Sequence, residues 1–136
     1  MRARFELDYA LWGEAREAAI RAARVVLNVH FYEDAALEVH RVNHLLASGA
    51  CVVSEPSSDA ALDAHYAPAL AFAPYSAIVD TAERLARDEH ARRAIANAGY
   101  AFVCAEQRAC AAWLGRALSD PALAWRGGAA SAAGIG

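Results

Sequence analysis

Two short apolar runs with a helical pattern between them constrain the fold of this chain more than any other feature. Val25–Phe31 and Cys51–Ser54 are rich in β-branched residues, as strands covered on both faces are. The segment between them repeats its apolar residues at intervals of three and four, which predicts a helix. Those residues are Val39, Val42, Leu45 and Leu46. Strand, helix and strand in this order predict a right-handed crossover and a parallel sheet.

Turn and cap signals set the expected limits of these elements. Asp34 is expected to cap the crossover helix, and Gly49 is expected to end it. Before the first strand, Gly13–Ala23 is rich in strong helix formers and predicts a surface helix packed on the sheet. The packing stripe of this helix is predicted to be Trp12, Ala15, Ala19 and Ala22.

The same pattern repeats after the second strand. The loop Glu55–Asp59, with serines that offer helix caps, leads into a short helix over Asp59–His65, and Ala69–Ala73 is the third predicted strand. Ser76 is expected to cap a long helix. The apolar positions of that helix are Ile78, Val79, Ala82, Leu85 and Ala86. Two further helices are predicted, Glu89–Ala98 closed by Gly99 and a last one over residues 102–118.

These elements predict one α/β domain over residues 1–125, followed by a flexible tail over residues 126–136. The expected architecture is a three-layer half-Rossmann fold, with a short parallel sheet of three to four strands flanked by helices. A sheet this short has two unpaired edges and leaves apolar surface uncovered. The chain is therefore expected either to be half of a larger doubly wound sheet or to complete itself as a homodimer.

Composition excludes several functional classes. A formal net charge of −3 disfavours binding to nucleic acid, which requires a basic surface. No apolar run approaches the roughly 20 residues of a membrane-spanning helix, and the amino-terminal residues lack the apolar region of a secretory signal, so a cytoplasmic protein is expected. The three cysteines, Cys51, Cys104 and Cys110, show no spacing typical of zinc or redox sites.

Histidines and serines near the predicted strand ends are the first candidates for a site. His40 and His44 have helical spacing but no third ligand, so no metal site is predicted. His30 alternates with Asn28 at the end of the first strand, on the side where open α/β sheets bind ligands. Ser57 and Ser58 fit either a phosphate contact or ordinary helix caps, and the cap interpretation is favoured.

Several stretches of the sequence match one known family. They are Trp12–Arg16, Val25–Tyr32, Leu37–Asn43 and Leu45–Glu55, followed by Tyr66, Phe72–Tyr75 and Ala91–Ala96. Together they resemble the carboxy-terminal, nucleotide-sugar donor domain of GT-B-fold glycosyltransferases of the "glycosyl transferases group 1" type. The likeness covers residues 12–103. It implies that a nucleotide sugar binds at the carboxyl ends of the parallel strands.

Position by position, the resemblance implies donor contacts from the loop after the first strand, from the next helix and from the loop after the second strand. The candidate residues are His30, Tyr32, Glu38, Arg41, Asn43, Ser54, Glu55, Ser57 and Ser58. No metal and no separate cofactor is expected, because the nucleotide sugar is the substrate.

The chain departs from the family at the residues most often linked to donor binding. Retaining members commonly carry two glutamates in the segment between the strands, and Ala36 and His44 occupy those positions here. The acceptor-binding half of such enzymes has no counterpart either, so no catalytic residue is assigned. Glycosyl transfer is expected only after completion by a second domain, in the same chain or as a partner.

Two other functional classes share parts of this pattern. The alternative function is a non-catalytic interaction module that dimerises through its open sheet edge and uncovered apolar face. A receiver-like or flavodoxin-like domain is disfavoured, because no aspartate ends the first strand and no glycine-rich phosphate loop follows it.

Overall fold

A computed structural model describes residues 12–32 and 34–120. The elements in chain order are α1 (Gly13–Ala22), β1 (Val26–Asn28), α2 (Val39–Ala47), β2 (Val52–Ser54), α3 (Ala60–Tyr66), β3 (Ala71–Phe72), α4 (Tyr75–Arg87) and α5 (Glu89–Ser119). The three strands form one parallel sheet in the order β1-β2-β3. Asn28 lies opposite Ser54, and Ser54 lies opposite Phe72.

Helices cover both faces of the sheet, and β2 is its buried centre. Val52 belongs to one hydrophobic cluster and the next residue, Val53, to the other, because successive side chains of a strand point to opposite faces. The first cluster is Leu37, Val42, Leu45, Leu46, Ala50, Val52, Tyr66, Ala69, Leu70 and Val103. The second is Cys51, Val53, Ala73, Ile78 and Leu85. The predicted three-layer α/β fold is confirmed.

Helix α1 packs through a different stripe from the predicted one. Trp12 is 75% exposed, and Ala15, Ala19 and Ala22 are exposed as well. Instead, Ile20 packs against the first cluster, while Glu17, three residues earlier, is partly buried. The predicted alanine stripe was wrong because the branched Ile20 buries more apolar surface than the alanines.

Strand β1 is shorter than the apolar run that predicted it. Its ladder ends at Asn28, and Phe31 is 89% exposed. A strand on the sheet edge pairs only as far as its one neighbour allows, and β2 ends at Ser54, opposite Asn28. Leu27 is 36% exposed, so β1 is not covered on both faces as its composition predicted.

The crossover helix starts later than predicted. Glu38 is the N-cap of α2 and makes no side-chain cap, whereas Asp34 lies well before the helix. Leu37 is buried in the first cluster, and its carbonyl accepts a hydrogen bond from the Val39 amide. Burial of Leu37 in an irregular segment therefore takes precedence over the local capping signal of Asp34.

The next two helices differ from prediction in how they begin. Asp59 caps α3, since its Oδ1 accepts hydrogen bonds from the amides of Ala61 and Leu62 at 3.0 Å, and the adjacent serines do not cap it. Ser76 does not cap α4, because Pro74 occupies the N-cap position with a φ of −62° and accepts from the Ala77 amide.

The long helix α4 buries only part of its predicted apolar stripe. Ile78 and Leu85 are buried in the second cluster, whereas Val79, 61% exposed, faces solvent.

Helix α5 runs through Gly99, where two separate helices were predicted. A Cβ atom on Gly99 would lie 2.6 Å from Leu46 Cδ2 and 2.7 Å from the Ala69 carbonyl oxygen. The glycine therefore serves close packing of α5 on α2 and on the chain before β3. A helix-ending glycine would have positive φ, and among the described residues only Gly13 and Gly49 do.

The chain divides into two compact units, residues 1–104 and 105–136. The described part of the second unit is the end of α5, where Trp113, Leu114 and Leu118 are exposed. The single domain over residues 1–125 stays a prediction, and the predicted tail over residues 126–136 lies outside the described residues. None of the helices within residues 12–32 and 34–120 is long and apolar enough to cross a membrane.

Candidate functional site

A chain of polar contacts joins the carboxyl ends of β1 and β2. Asn28 Nδ2 donates to Ser54 Oγ at 3.0 Å, and Ser54 Oγ donates to the Glu55 carbonyl at 2.9 Å. The His30 amide donates to Glu55 Oε2 at 2.8 Å. Three predicted site residues, His30, Ser54 and Glu55, are thereby brought together.

Three polar atoms in this network are buried without a hydrogen-bond partner among the described residues. They are Asn28 Oδ1 and both ring nitrogens of His30. Asn28 and Ser54 are fully buried. Native structures rarely leave such atoms unpaired, because each costs about 1–3 kcal/mol.

The loop after β1 carries an exposed aromatic pair. The rings of Phe31 and Tyr32 meet edge to face with centroids 4.9 Å apart, and they are 89% and 73% exposed. Tyr32, a predicted site residue, thus lies near His30 in the chain but outside the buried network. Two adjacent exposed rings offer a stacking surface.

Glu38 and Arg41 pair with each other at the start of α2. Arg41 donates to Glu38 Oε2 at 3.0 Å, and both side chains are about half exposed. Such an exposed pair contributes only about 0.2–1 kcal/mol. Arg41 also lines a groove of about 670 Å³ between α1 and α2, together with His40 and His44.

The remaining predicted residues support loops and helices. Asn43 Oδ1 accepts from the Tyr66 hydroxyl at 2.9 Å, which ties α2 to α3. Ser57 donates through its amide and its Oγ to the Asp63 carboxylate at 2.7 and 2.8 Å. The Ser58 amide donates to the Ala35 carbonyl and so joins the two loops that follow β1 and β2.

His44, which occupies a family glutamate position, is bound to α1. Its Nε2 lies 2.8 Å from Glu17 Oε1, and Arg16 lies 3.5 Å from the same oxygen. Partial burial acts to raise the pKa of Glu17, but the hydrogen bond from His44 and the charges of His44 and Arg16 outweigh it and lower the pKa below its ordinary value. This pair stabilises the contact between α1 and α2.

Neither a metal site nor a disulfide is found in the part of the chain that the structure describes. No group of three or more His, Cys, Asp or Glu side chains is positioned there to hold a metal ion. The three cysteines are free thiols. Burial raises the pKa of the Cys51 thiol, an effect that the Arg92 charge counters in part, so Cys51 is a poor nucleophile.

A family model described as glycosyl transferase-like matches residues 4–118, which is most of the chain. The chain belongs to this glycosyl transferase-like family. The resemblance inferred from the sequence stretches is thereby confirmed. Neither a curated protein nor a solved structure matches the chain.

In this glycosyl transferase-like chain, Asn28 belongs to the candidate site by its contact with Ser54, and the sequence prediction omitted it. Its alternation with His30 was visible in the sequence. An asparagine inside an apolar run is equally consistent with a hydrogen bond that is purely structural. Full burial with one unpaired oxygen distinguishes it, and that property depends on the pairing of β1 with β2, which the sequence of β1 alone does not show.

Proposed function

We propose that this chain is the nucleotide-sugar-binding half of a glycosyltransferase, with the donor bound at the carboxyl ends of β1 and β2. The observation that carries the proposal is the buried Asn28, Ser54, Glu55 and His30 network with its three unpaired atoms. Open α/β sheets bind ligands at this edge. Membership of the glycosyl transferase-like family supports a nucleotide sugar as that ligand.

The unpaired atoms suit the hydroxyl groups of a ribose or a sugar. Asn28 Oδ1 accepts hydrogen bonds, and the two ring nitrogens of His30 donate or accept according to the tautomer. Hydroxyl groups also do both. These atoms have no hydrogen-bond partner among the described residues. The loop after β1 therefore opens to a ligand without breaking a side-chain hydrogen bond of His30.

The start of α2 supplies the site for the diphosphate. This helix has no acidic residue in its first turn and no side-chain cap, and the first amides of any helix lack an intrahelical acceptor. The Val39 amide already donates to the Leu37 carbonyl, so the amides that follow it and the positive end of the helix dipole are the groups that attract phosphate. Arg41, held to Glu38 only by an exposed pair, exchanges that partner for the diphosphate.

The exposed rings of Phe31 and Tyr32 give the nucleobase a surface for stacking. The proposal therefore assigns sugar or ribose to the buried network, diphosphate to the start of α2, and base to the loop after β1.

Turnover requires a second half that presents the acceptor. Where family members commonly use a glutamate, this chain has His44, whose Nε2 is already engaged by Glu17. Alone, the chain binds a donor weakly and transfers nothing. With its partner half, catalysis rests on stabilising the leaving diphosphate.

Calorimetric titration with a panel of uridine, guanosine, adenosine and thymidine diphosphate sugars tests the proposal. One nucleotide class is expected to bind, and His30→Ala is expected to weaken it by about tenfold, the equivalent of one lost hydrogen bond. His90→Ala, an exposed histidine at the start of α5, is the matched control and retains the affinity. Equal affinities of the two variants, or no binding by any donor, contradict the proposal.

The edge of β1 that no described strand pairs with favours homodimerisation as a second candidate property. β1 pairs only with β2 among the described strands, and Leu27 on it is 36% exposed. A second copy that pairs along β1 would continue the sheet. Sedimentation at micromolar concentration is expected to show a dimer that Leu27→Lys dissociates, and a strictly monomeric wild-type protein would overturn this idea.

A further inference from the structure

A cavity of about 210 Å³ lies at the amino ends of the strands, at the opposite end of the sheet from the donor site. Its walls come from the end of α1 and the segment that follows it, from the turn between α2 and β2, and from the first turns of α5. Because β1 and β2 have three residues each, about 10 Å of strand separates the two ends of the sheet.

Four arginines line this cavity, and no carboxylate is among its lining residues within the described chain. They are Arg21, Arg24, Arg92 and Arg93. The whole chain carries a net charge of −3 with 13 basic residues, so this concentration of positive charge is local. Several arginines in one concave site attract an oxyanion, since the guanidinium group is always charged and has five N–H donors.

Two of these arginines are fixed in place by the end of α4. Arg24 Nη1 donates to the Ala86 carbonyl at 3.2 Å, and Arg92 Nη1 donates to the carbonyls of Leu85 and Ala86 at 3.3 Å. Each of these contacts uses only one nitrogen of the side chain. The other guanidinium nitrogens of Arg24 and Arg92 make no further hydrogen bond with the described residues.

The other two arginines are available to a ligand. Arg21 has no partner among the described residues, and Arg93 pairs with Glu89 at 2.8 Å in an exposed contact that a stronger anion replaces.

The charge of Arg92 acts on Cys51 in the cavity wall, where it counters part of the pKa rise that burial causes in the thiol.

The size of the cavity limits the ligand. Its volume is below the roughly 300–1,000 Å³ of sites for drug-sized molecules. A nucleotide sugar is too large for it, whereas an inorganic oxyanion or a single phosphoryl group fits.

We infer that the cavity between Arg21, Arg24, Arg92 and Arg93 is a second binding site of this chain, for phosphate or pyrophosphate. This site shares no residue with the donor site, so either proposal stands or fails without the other.

Nuclear magnetic resonance titration with sodium phosphate, sodium pyrophosphate and a sugar phosphate at constant ionic strength tests the inference. The amide signals of Gly49, Ala50 and Arg93 are expected to shift and to saturate. Preference for the inorganic ions indicates a site for free oxyanion, and preference for the sugar phosphate indicates a site for an esterified phosphoryl group. Either pattern supports the inference.

Two double variants, each of which removes two positive charges, make the test specific. Arg21→Gln with Arg93→Gln is expected to weaken binding by at least about tenfold. Arg84→Gln with Arg87→Gln removes two exposed arginines of α4 that do not line the cavity, and it is expected to change the affinity less than about twofold. Arg87 also pairs with Glu83 four residues away, as Arg93 does with Glu89.

Equal weakening by both double variants would show general charge attraction and overturn the inference, as would shifts that never saturate. If Arg21→Gln with Arg93→Gln loses the wild-type circular dichroism spectrum, Arg93→Gln alone replaces it and is compared with Arg87→Gln. The Arg93 side chain is 75% exposed, so this single change leaves the fold intact.

Discussion

Asn28 Nδ2 donates to Ser54 Oγ across 3.0 Å, and both residues are completely buried at the carboxyl ends of neighbouring parallel strands. This contact fixes β1 to β2 where the backbone ladder ends. It also holds Asn28 Oδ1 inside the protein without a partner among the described residues. The same pair therefore stabilises the sheet and supplies the donor site with an unsatisfied acceptor.

Replacement of Ser54 by alanine is expected to lower the free energy of unfolding by about 1–3 kcal/mol, because Asn28 Nδ2 loses its acceptor while it remains buried. Urea unfolding measures the change. Ser58→Ala is the control, since its side chain is exposed and only its amide bonds to Ala35, and its effect is expected to stay within about 0.5 kcal/mol. Equal effects of the two variants would contradict a structural role for the Asn28 contact.

Gly99→Ala is expected to destabilise the fold by about 1–3 kcal/mol. The added Cβ would lie 2.7 Å from the Ala69 carbonyl oxygen, which belongs to the backbone and cannot move away cheaply. Thermal and urea unfolding measure the loss.

Gly115→Ala in the same helix is the matched control for Gly99→Ala. A Cβ atom there meets nothing within 4 Å, so the variant is expected to leave stability unchanged or to raise it by up to about 1 kcal/mol through better helix propensity. A Gly99→Ala protein as stable as the control would disprove the close packing of α5 on α2.

The Glu17 and His44 contact predicts a specific dependence of stability on pH. Because the pKa of Glu17 is lowered in the folded state, its ionised form stabilises the fold above its unfolded-state pKa of about 4.3, and that stabilisation is lost as the pH falls through the lower, folded-state pKa. The stability difference between the wild type and Glu17→Gln is therefore expected to shrink on acidification from about pH 6 to about pH 3.

Urea unfolding across this range measures the effect, with Glu14→Gln, an exposed glutamate on the same helix, as control. A difference that grows as the pH falls would contradict the assigned pKa shift of Glu17.

The three thiols are expected to react with a disulfide reagent at clearly different rates. Cys110 is exposed and Cys104 is partly buried, whereas Cys51 is 3% exposed and burial raises the pKa of its thiol. Since only the thiolate attacks, Cys51 is expected to react only after unfolding. Mass spectrometry after brief labelling measures the order, and early modification of Cys51 would show that its strand is not buried.

The sequence predicted those parts of the fold in which local pattern and tertiary packing agree. The β-branched residues around Val26 and Val52 predicted where β1 and β2 lie, because both valines also pack in the first hydrophobic cluster, although β1 ends three residues earlier than predicted. The helical spacing of Val42, Leu45 and Leu46 predicted the buried face of α2.

Residues whose role depends on distant partners were predicted poorly. Asp34 and Ser76 resemble caps locally, but burial of Leu37 and the position of Pro74 determine where the helices begin. Gly99 resembles a helix end, and only its contact with Leu46 shows its packing role.

The candidate site was likewise predictable only where its residues follow from local pattern. The position of His30 and Glu55 at the strand ends came from the sequence, since the carboxyl ends of parallel strands meet at one edge. The engagement of Asn43 by Tyr66 and of Ser57 by Asp63 depends on how α3 packs, which no short sequence motif encodes.

The central claim is that a nucleotide sugar binds at the carboxyl ends of β1 and β2, and amide chemical shifts test it most directly. Titration of the labelled protein with the preferred nucleotide sugar is expected to shift the amide signals of residues 29–41 and of Glu55, Ser57 and Ser58 in a saturable way. The signals of residues 48–51, at the opposite end of the sheet, are expected to stay in place. If no nucleotide sugar moves any signal between His30 and Ser58, or if the shifts lie only at the amino ends of the strands, the donor-site assignment is wrong.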